Sequence, residues 1–171
     1  MVGLDANFNE ISETITMDGT NTVTTVKSYI RIFRAYGATS GTNNTNIGTI
    51  IVTNNAGTVN LLRIVIGDAQ TLMTMWTVPA GKKFYVTKAT FSTNSNKGAR
   101  VSLFTRQLDG GTIYPWRIRY RAFVFSGHES FDFSIPFILN AKTDIEIRVL
   151  TPGSAGTTSA GATFEGWYEN V

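Results

Sequence analysis

Asp144-Ile145-Glu146-Ile147-Arg148-Val149 alternates charged with β-branched residues at every step. This period of two sends successive side chains to opposite faces of a strand. One face is therefore buried and the other wet, the pattern of an antiparallel sheet with one solvated side. Phe131-Asp132-Phe133-Ser134-Ile135 repeats the arrangement, and Trp116-Arg117-Ile118-Arg119-Tyr120-Arg121-Ala122 sets three arginines on one face at the same spacing. Working outward, short β-branched and aromatic segments predict strands over 26–36, 47–53, 59–66, 72–78, 83–92, 99–108, 116–125, 131–139, 144–151 and 162–168. Between them stand Asn54-Asn55-Ala56-Gly57, Gly67-Asp68, Pro79-Ala80-Gly81, Asn94-Ser95-Asn96-Lys97-Gly98, Asp109-Gly110-Gly111 and Pro152-Gly153-Ser154. Gly and Asn there accept positive φ and Pro presets the first turn dihedral. No ten-residue stretch holds a 3.6 period with capping signals, so the expected class is all-β. The expected architecture is a single β-sandwich of about 8–10 antiparallel strands, jelly-roll-like.

Composition narrows the chemistry. The 171 residues include no Cys, which excludes zinc ribbons, thiol redox sites and disulfide scaffolds, and a chain of this length can bury one sizeable core without such staples. The 16% charged fraction lies well below the roughly 25% of ordinary domains, while Thr (25) and Asn (13) are abundant. A polar but sparsely charged exterior suits sheet faces, long loops or surfaces covered by neighbouring subunits. The net charge of +3 is too small to argue for a nucleic-acid partner. No apolar run reaches the roughly 18 residues of a membrane span, and residues 1–10 lack the basic-then-apolar order of a secretion signal. Synthesis in the cytosol, with no membrane partner, is the expectation.

Residues 1–22 carry isolated apolar positions, Leu4, Phe8, Ile11 and Ile15, among polar ones, with Asp5, Glu10, Glu13 and Asp18 as the only charges. They read as an extended acidic N-terminal arm that either packs as an edge strand or reaches onto another subunit, with the sandwich domain occupying 23–171. The polar loop 37–48, containing Thr42, Asn43 and Asn44, has no apolar anchor and suits a contact with a neighbouring chain. Asn43-Asn44-Thr45 is a formal glycosylation sequon without a secretion signal to make it relevant.

Arg117, Arg119 and Arg121 would repel one another on one face unless something negative lies opposite. Pairing with Asp132, Glu146 or Glu129, or plain solvation, competes with a role as a basic strip facing an acidic or phosphate-bearing partner. Phe123, Phe125, Phe131, Phe133 and Phe137 at strand period read as core; Trp76, Tyr114, Trp116, Trp167 and Tyr168 are better candidates for exposure, although lining the core or the sandwich ends is the leading reading for them too. The single histidine, in Ser126-Gly127-His128-Glu129-Ser130, is read as a loop residue. Neighbours in sequence rarely form a triad, and no Gly-x-Ser-x-Gly elbow is present. Neither paired His nor an Asp-x-Asp-x-Asp-Gly loop offers a metal site, and 152–156 lacks the Gly-Lys-Ser/Thr ending of a phosphate loop. No enzyme activity, cofactor, metal or small-molecule substrate is expected.

Four segments carry a resemblance: Tyr29-Ile-Arg-Ile-Phe-Arg-Ala-Tyr36 with the Asn/Gly/Thr loop after it, Asn46-Ile-Gly-Thr-Ile-Ile-Val52, Gln70-Thr-Leu-Met-Thr-Met-Trp-Thr-Val-Pro-Ala-Gly-Lys82 and Leu139-Asn-Ala-Lys-Thr-Asp-Ile-Glu-Ile-Arg148. Over residues 25–168 the chain resembles small virion proteins of tailed bacteriophages, especially those of marine hosts. The resemblance implies a jelly-roll core, a place on the capsid as a cement or decoration protein, usually trimeric, and the major capsid protein as partner. It brings no catalytic or ligand residues. Leu4, Phe8, Ile11 and Ile15, Thr42, Asn43 and Asn44, and Arg117, Arg119 and Arg121 are then the candidate subunit or capsid contacts. The alternative is a head-fibre or tail-fibre tip that recognises host glycans through exposed Trp76, Tyr114 and Trp116. An enzyme on the same sandwich, a cupin or glycan hydrolase, lacks the two-His metal set and a recognisable carboxylate pair.

Overall fold

The computed structural model describes residues 1–40, 44–94, 97–109, 112–151 and 159–171, and there the chain is all-β, with no helix among the described residues. Its strands are β1 Val2–Leu4, β2 Glu10–Ser12, β3 Arg31–Arg34, β4 Ile50–Thr53, β5 Asn60–Ile64, β6 Met75–Thr77 and β7 Lys82–Thr93. They continue with β8 Ala99–Asp109, β9 Thr112–Ile113, β10 Arg117–Val124, β11 Gly127–Leu139, β12 Thr143–Leu150 and β13 Ala160–Asn170. Each of the ten expected segments overlaps a strand; β9 was not expected, and β1 and β2 fall in the segment read as an arm or an edge strand. The turn residues Ser95, Asn96, Gly110, Gly111 and Pro152-Gly153-Ser154, and the loop residues Thr42 and Asn43, lie outside the described residues.

The chain divides into two compact units, Met1–Met73 and Thr74–Val171, where the sequence suggested an arm ending at residue 22 and one domain after it. In the first unit, β1 lies between β2 and β3, with Gly3 opposite Ile11 on one side and Ile32 on the other. The supposed arm is thus part of a sheet over 2–12. The physical reason is a partner distant in sequence. A side chain at Gly3 would run into the Arg31 carbonyl and the Tyr29 ring, so only glycine lets β3 approach this closely. Composition of a segment does not reveal such a contact. The strands β4 and β5 form a hairpin whose turn is tied by Asn54, its Oδ1 accepting from the backbone N–H of Thr58 (2.9 Å) and Val59 (3.0 Å). The core is small: Ala35, Leu62 and Ile64 form a cluster with Met1, Ile32, Ile50, Val52 and Met73 packed against them, and Leu4 and Phe33 are buried besides.

The second unit is a sandwich. One sheet runs β10-β8-β12-β6, with β9 attached to β8, and the other runs β11-β7-β13, all antiparallel. Val78, Phe84, Val86, Leu103, Leu139 and Ile145 from both sheets form the main cluster. A second holds Ala89, Phe91, Val101, Ala122 and Val124. Each fully buried Phe, Leu, Ile or Val contributes about 1.5–3 kcal/mol. Ile145 and Ile147 reach this core from β12 as the opening hexapeptide requires, with Ile145 fully buried and Ile147 packed against it. Phe131, Phe133 and Phe137 also pack there. Phe123 and Phe125, expected inside, stand 66% and 69% exposed. Phe123 pairs with Arg100 on the outer face, and Phe125 follows the end of β10 and lies over Gly98.

Candidate functional site

The expected one-faced arginine ladder does not form. A β-bulge between Ile118 and Tyr120 gives Arg119 no cross-strand residue on β8, so Arg117 lies opposite Thr105 and Arg121 opposite Ser102. These two β8 residues are three apart on a strand whose register with β12 is unbroken, hence on opposite faces. Repulsion is relieved by separation, not by carboxylates. Arg119 Nε donates to Thr105 Oγ1 (2.8 Å) and Arg121 Nε to Ser102 Oγ (3.0 Å). Among the described residues none of the three is ion-paired to Asp132, Glu146 or Glu129. All three are exposed, on a strand that forms the edge of its sheet.

The carboxylates of the same sheet are held by other arginines. Arg106 donates from Nε (3.0 Å) and Nη2 (2.6 Å) to Asp144 Oδ2, and Thr77 Oγ1 donates to Asp144 Oδ1 (2.6 Å). Arg148 pairs with Glu146. Both guanidiniums also lie over the Trp116 ring, at 4.3 and 4.8 Å from its centroid, and Arg148 lies over Phe104 at 4.6 Å. Such contacts contribute about 0.5–1 kcal/mol each at exposed sites. Trp116 is therefore half-buried in its own sheet's charge cluster. Trp76 packs edge-on against Phe84 with centroids 5.0 Å apart and is half-buried against the core. Tyr114 is 41% exposed. It borders a recess of about 170 Å³ with Thr105, Gln107, Pro115 and Arg117, small beside the roughly 300–1,000 Å³ of ordinary ligand pockets.

On the opposite sheet, Tyr85 of β7 stacks on Trp167 of β13, centroids 5.2 Å apart and planes within 10°. The Tyr85 hydroxyl donates to Glu169, and that bond, with partial burial, pushes the phenol's pKa up. Lys82 Nζ lies 4.2 Å from the centroid of Tyr168. Trp167 and Tyr168 are both more than half exposed, against the leading reading of these aromatics as lining the core or the sandwich ends. The strand β13 is an edge, paired with β7 and with no other described strand, and it carries Glu165 and Glu169. Sequence reading passed over this acidic edge, although the alternation in Phe164-Glu165-Gly166-Trp167-Tyr168-Glu169 contains it.

His128 lies in β11 opposite Ser92, within a strand and not in a loop, and it is exposed. Glu129 acts from the next position on Tyr120, whose phenol is pushed up by burial and then by that charge. Among the described residues no three His, Cys, Asp or Glu converge in a metal-binding group.

Of the candidate contacts in the first unit, Leu4 is fully buried between β2 and β3, so its side chain serves internal packing. Phe8 sits half-buried in the β1–β2 turn with φ 66°, Ile11 is half-buried in β2, and Ile15 is half-buried beyond it. Asn44 is exposed with φ 54°. Glu13 accepts from the backbone N–H of Val26 (2.8 Å) and Lys27 (3.0 Å), which holds its carboxyl below the usual range. Large apolar side chains remain uncovered around this unit: Val26 is 93%, Ile47 81% and Leu72 76% exposed.

Comparison with protein-family models, with curated proteins and with solved structures finds no match for this chain.

Proposed function

We propose that this chain is a virion structural protein of a tailed phage, a capsid decoration or cement protein that covers the head shell and stabilises it by interface burial. The observation that carries this reading is the uncovered apolar surface of the first unit. A unit of 73 residues with so small a core is marginal alone, and Val26, Ile47 and Leu72 leave apolar area that a neighbouring surface would cover. The low charged fraction and the sequence resemblance over 25–168 point the same way. On this reading the sandwich is jelly-roll-like, the partners are the major capsid protein and further copies of the chain, a homotrimer, and the protein resides in the virion after assembly in the host cytoplasm. A specific interface buries about 1,000 Å² or more, and repetition over a shell makes a modest contact large in sum.

The reading as a glycan-binding fibre tip has less support, because Trp76 is half-buried against the core and Trp116 lies under two guanidiniums, leaving Tyr114 beside a small recess. The test is to add the purified chain to expanded heads lacking it and follow DNA release on heating. Release at a higher temperature supports the cement role. An unchanged release curve, with no chain sedimenting with the heads, contradicts it.

A further inference from the structure

We infer that the outer face of the β10-β8-β12-β6 sheet binds single-stranded nucleic acid, whose phosphates follow a row of arginines along β8. The second unit segregates its strand cations by sheet. The strands β6, β8, β9, β10 and β12 contain six arginines and no lysine, whereas β7, β11 and β13 contain Lys82, Lys83 and Lys88 and no arginine. On the lysine sheet, Lys88 lies between Asp132 and Glu165, and Lys83 lies opposite Glu169. Charge cancels there, so the small net charge of the chain understates the arginine sheet.

Register sets the row. Arg100, Ser102, Phe104 and Arg106 alternate with the buried Val101, Leu103 and Thr105, so they share the outer face of β8. Arg121 and Arg148 flank Ser102 from β10 and β12, clear of the bulge at Arg119. Arg121 Nε donates to Ser102 Oγ (3.0 Å), the Arg148 guanidinium lies 4.6 Å from the centroid of Phe104, and Arg106 is held on Asp144. Arginines thus serve positions 100, 102, 104 and 106 of β8, at intervals of about 6.6–6.8 Å, close to the separation of successive phosphates along a nucleic-acid strand. Arg117, opposite Thr105, faces the other way.

Half of the row is open to an anion. Glu146 and Asp144 engage Arg148 and Arg106, but neither Arg100 nor Arg121 has a carboxylate partner among the described residues. The one further carboxylate of these strands, Asp109, stands at the opposite end of β8 from Arg100. Arg100 is diagonal to both Arg121 and Arg148 across the sheet, a crowding of like charge that a bound anion relieves. Ser102 orients Arg121 through Nε and leaves its terminal nitrogens for a phosphate oxygen. Phe123, exposed and opposite Arg100, offers an open ring to a base. A single strand can use ring and guanidiniums together, whereas a duplex keeps its bases stacked inside. This inference does not depend on the shell-binding reading; either can fail while the other stands.

The test is fluorescence anisotropy with a short labelled oligothymidylate, on the full chain and on three variants: Arg100→Gln with Arg121→Gln, Phe123→Ala, and Lys83→Gln on the other sheet. The unaltered chain should bind, more weakly as salt rises. The double variant should bind several-fold more weakly and flatten the logarithmic salt slope by about 1.4, two contacts at about 0.7 each. Phe123→Ala should weaken binding about fivefold or more with the slope unchanged, and Lys83→Gln should change neither. Phenylglyoxal modification of the unaltered chain is a measurement independent of variant folding: the oligonucleotide should shield Arg100 and Arg121 and leave Arg63 of the first unit reactive. No binding at low salt overturns the inference, as does binding that the double variant or Phe123→Ala retains in full. So does displacement of the strand by polyglutamate at equal charge, which assigns the face to an acidic protein, or by inorganic phosphate at equal phosphate concentration, which assigns it to the free anion.

Discussion

Arg106 Nη2 lies 2.6 Å from Asp144 Oδ2 across the β8–β12 pair, and the carboxylate it holds is 4% exposed. Taking a charge out of water costs several kcal/mol, and its partners offset that cost only while they remain in place. Arg106→Ala should therefore destabilise the sandwich by about 3–5 kcal/mol, seen as a lower urea midpoint with unchanged slope. Arg106→Lys, which cannot present the two donors together, should fall between. A loss below about 1 kcal/mol, the scale of a surface pair, would mean that the carboxylate is solvated or neutral.

Glu13 links pH to the stability of the first unit. The Val26 and Lys27 amides lower its folded-state pKa, so its contribution is present in full above the ordinary carboxylate range and lost as pH falls through the lowered folded value. Asp5 behaves likewise through the Asn9 and Asn7 amides. Glu13→Gln should lower the melting temperature at neutral pH, and the gap from the unaltered chain should close in acid. A gap that persists unchanged at acid pH assigns the effect to packing.

Tyr29 carries a buried hydroxyl without a hydrogen-bond partner among the described residues, and its pKa is raised by burial and then by the Glu13 charge. Tyr29→Phe removes an unsatisfied group, so it should be neutral or stabilising by about 1 kcal/mol in thermal or urea unfolding. A loss of that size would reveal a partner for the hydroxyl.

Gly166 sits where β13 crosses the bulge of β7, and an added Cβ would run into the Tyr85 carbonyl. Gly166→Ala should cost about 1–3 kcal/mol through overpacking and loosen β13, so that amides of 160–170 exchange faster while those of β8 and β12 do not. Unchanged exchange on β13 would show that the strand shifts without strain.

The parts of the fold legible in the sequence are those whose signal is local. Asp144 to Val149 alternates because Ile145 and Ile147 face the core, and its strand and those two core residues follow, whereas Asp144, read as wet, is buried against Arg106 and Thr77, and Val149 is 37% exposed. The central place of the strand at Val2–Leu4, in a segment open to being an edge strand, was hidden because its reason, the absence of a Cβ at Gly3 beneath Arg31, lies 28 residues away. The arginine ladder was legible as charge but not as geometry, since a single bulge at Arg119 breaks a period of two. Trp116 stood open between exposure and the core because its covers, Arg106 and Arg148, come from other strands. The acidic edge was missed for a related reason: whether a strand is central or marginal depends on sheet order, which alternation does not encode.

The most direct measurement of the proposed role is the number of chains bound per head when expanded heads are saturated with purified protein. Binding should reach a plateau at a fixed ratio to the shell subunits, set by shell symmetry. Binding without a plateau, or none at all, would contradict a protein whose work is to cover a repeating surface.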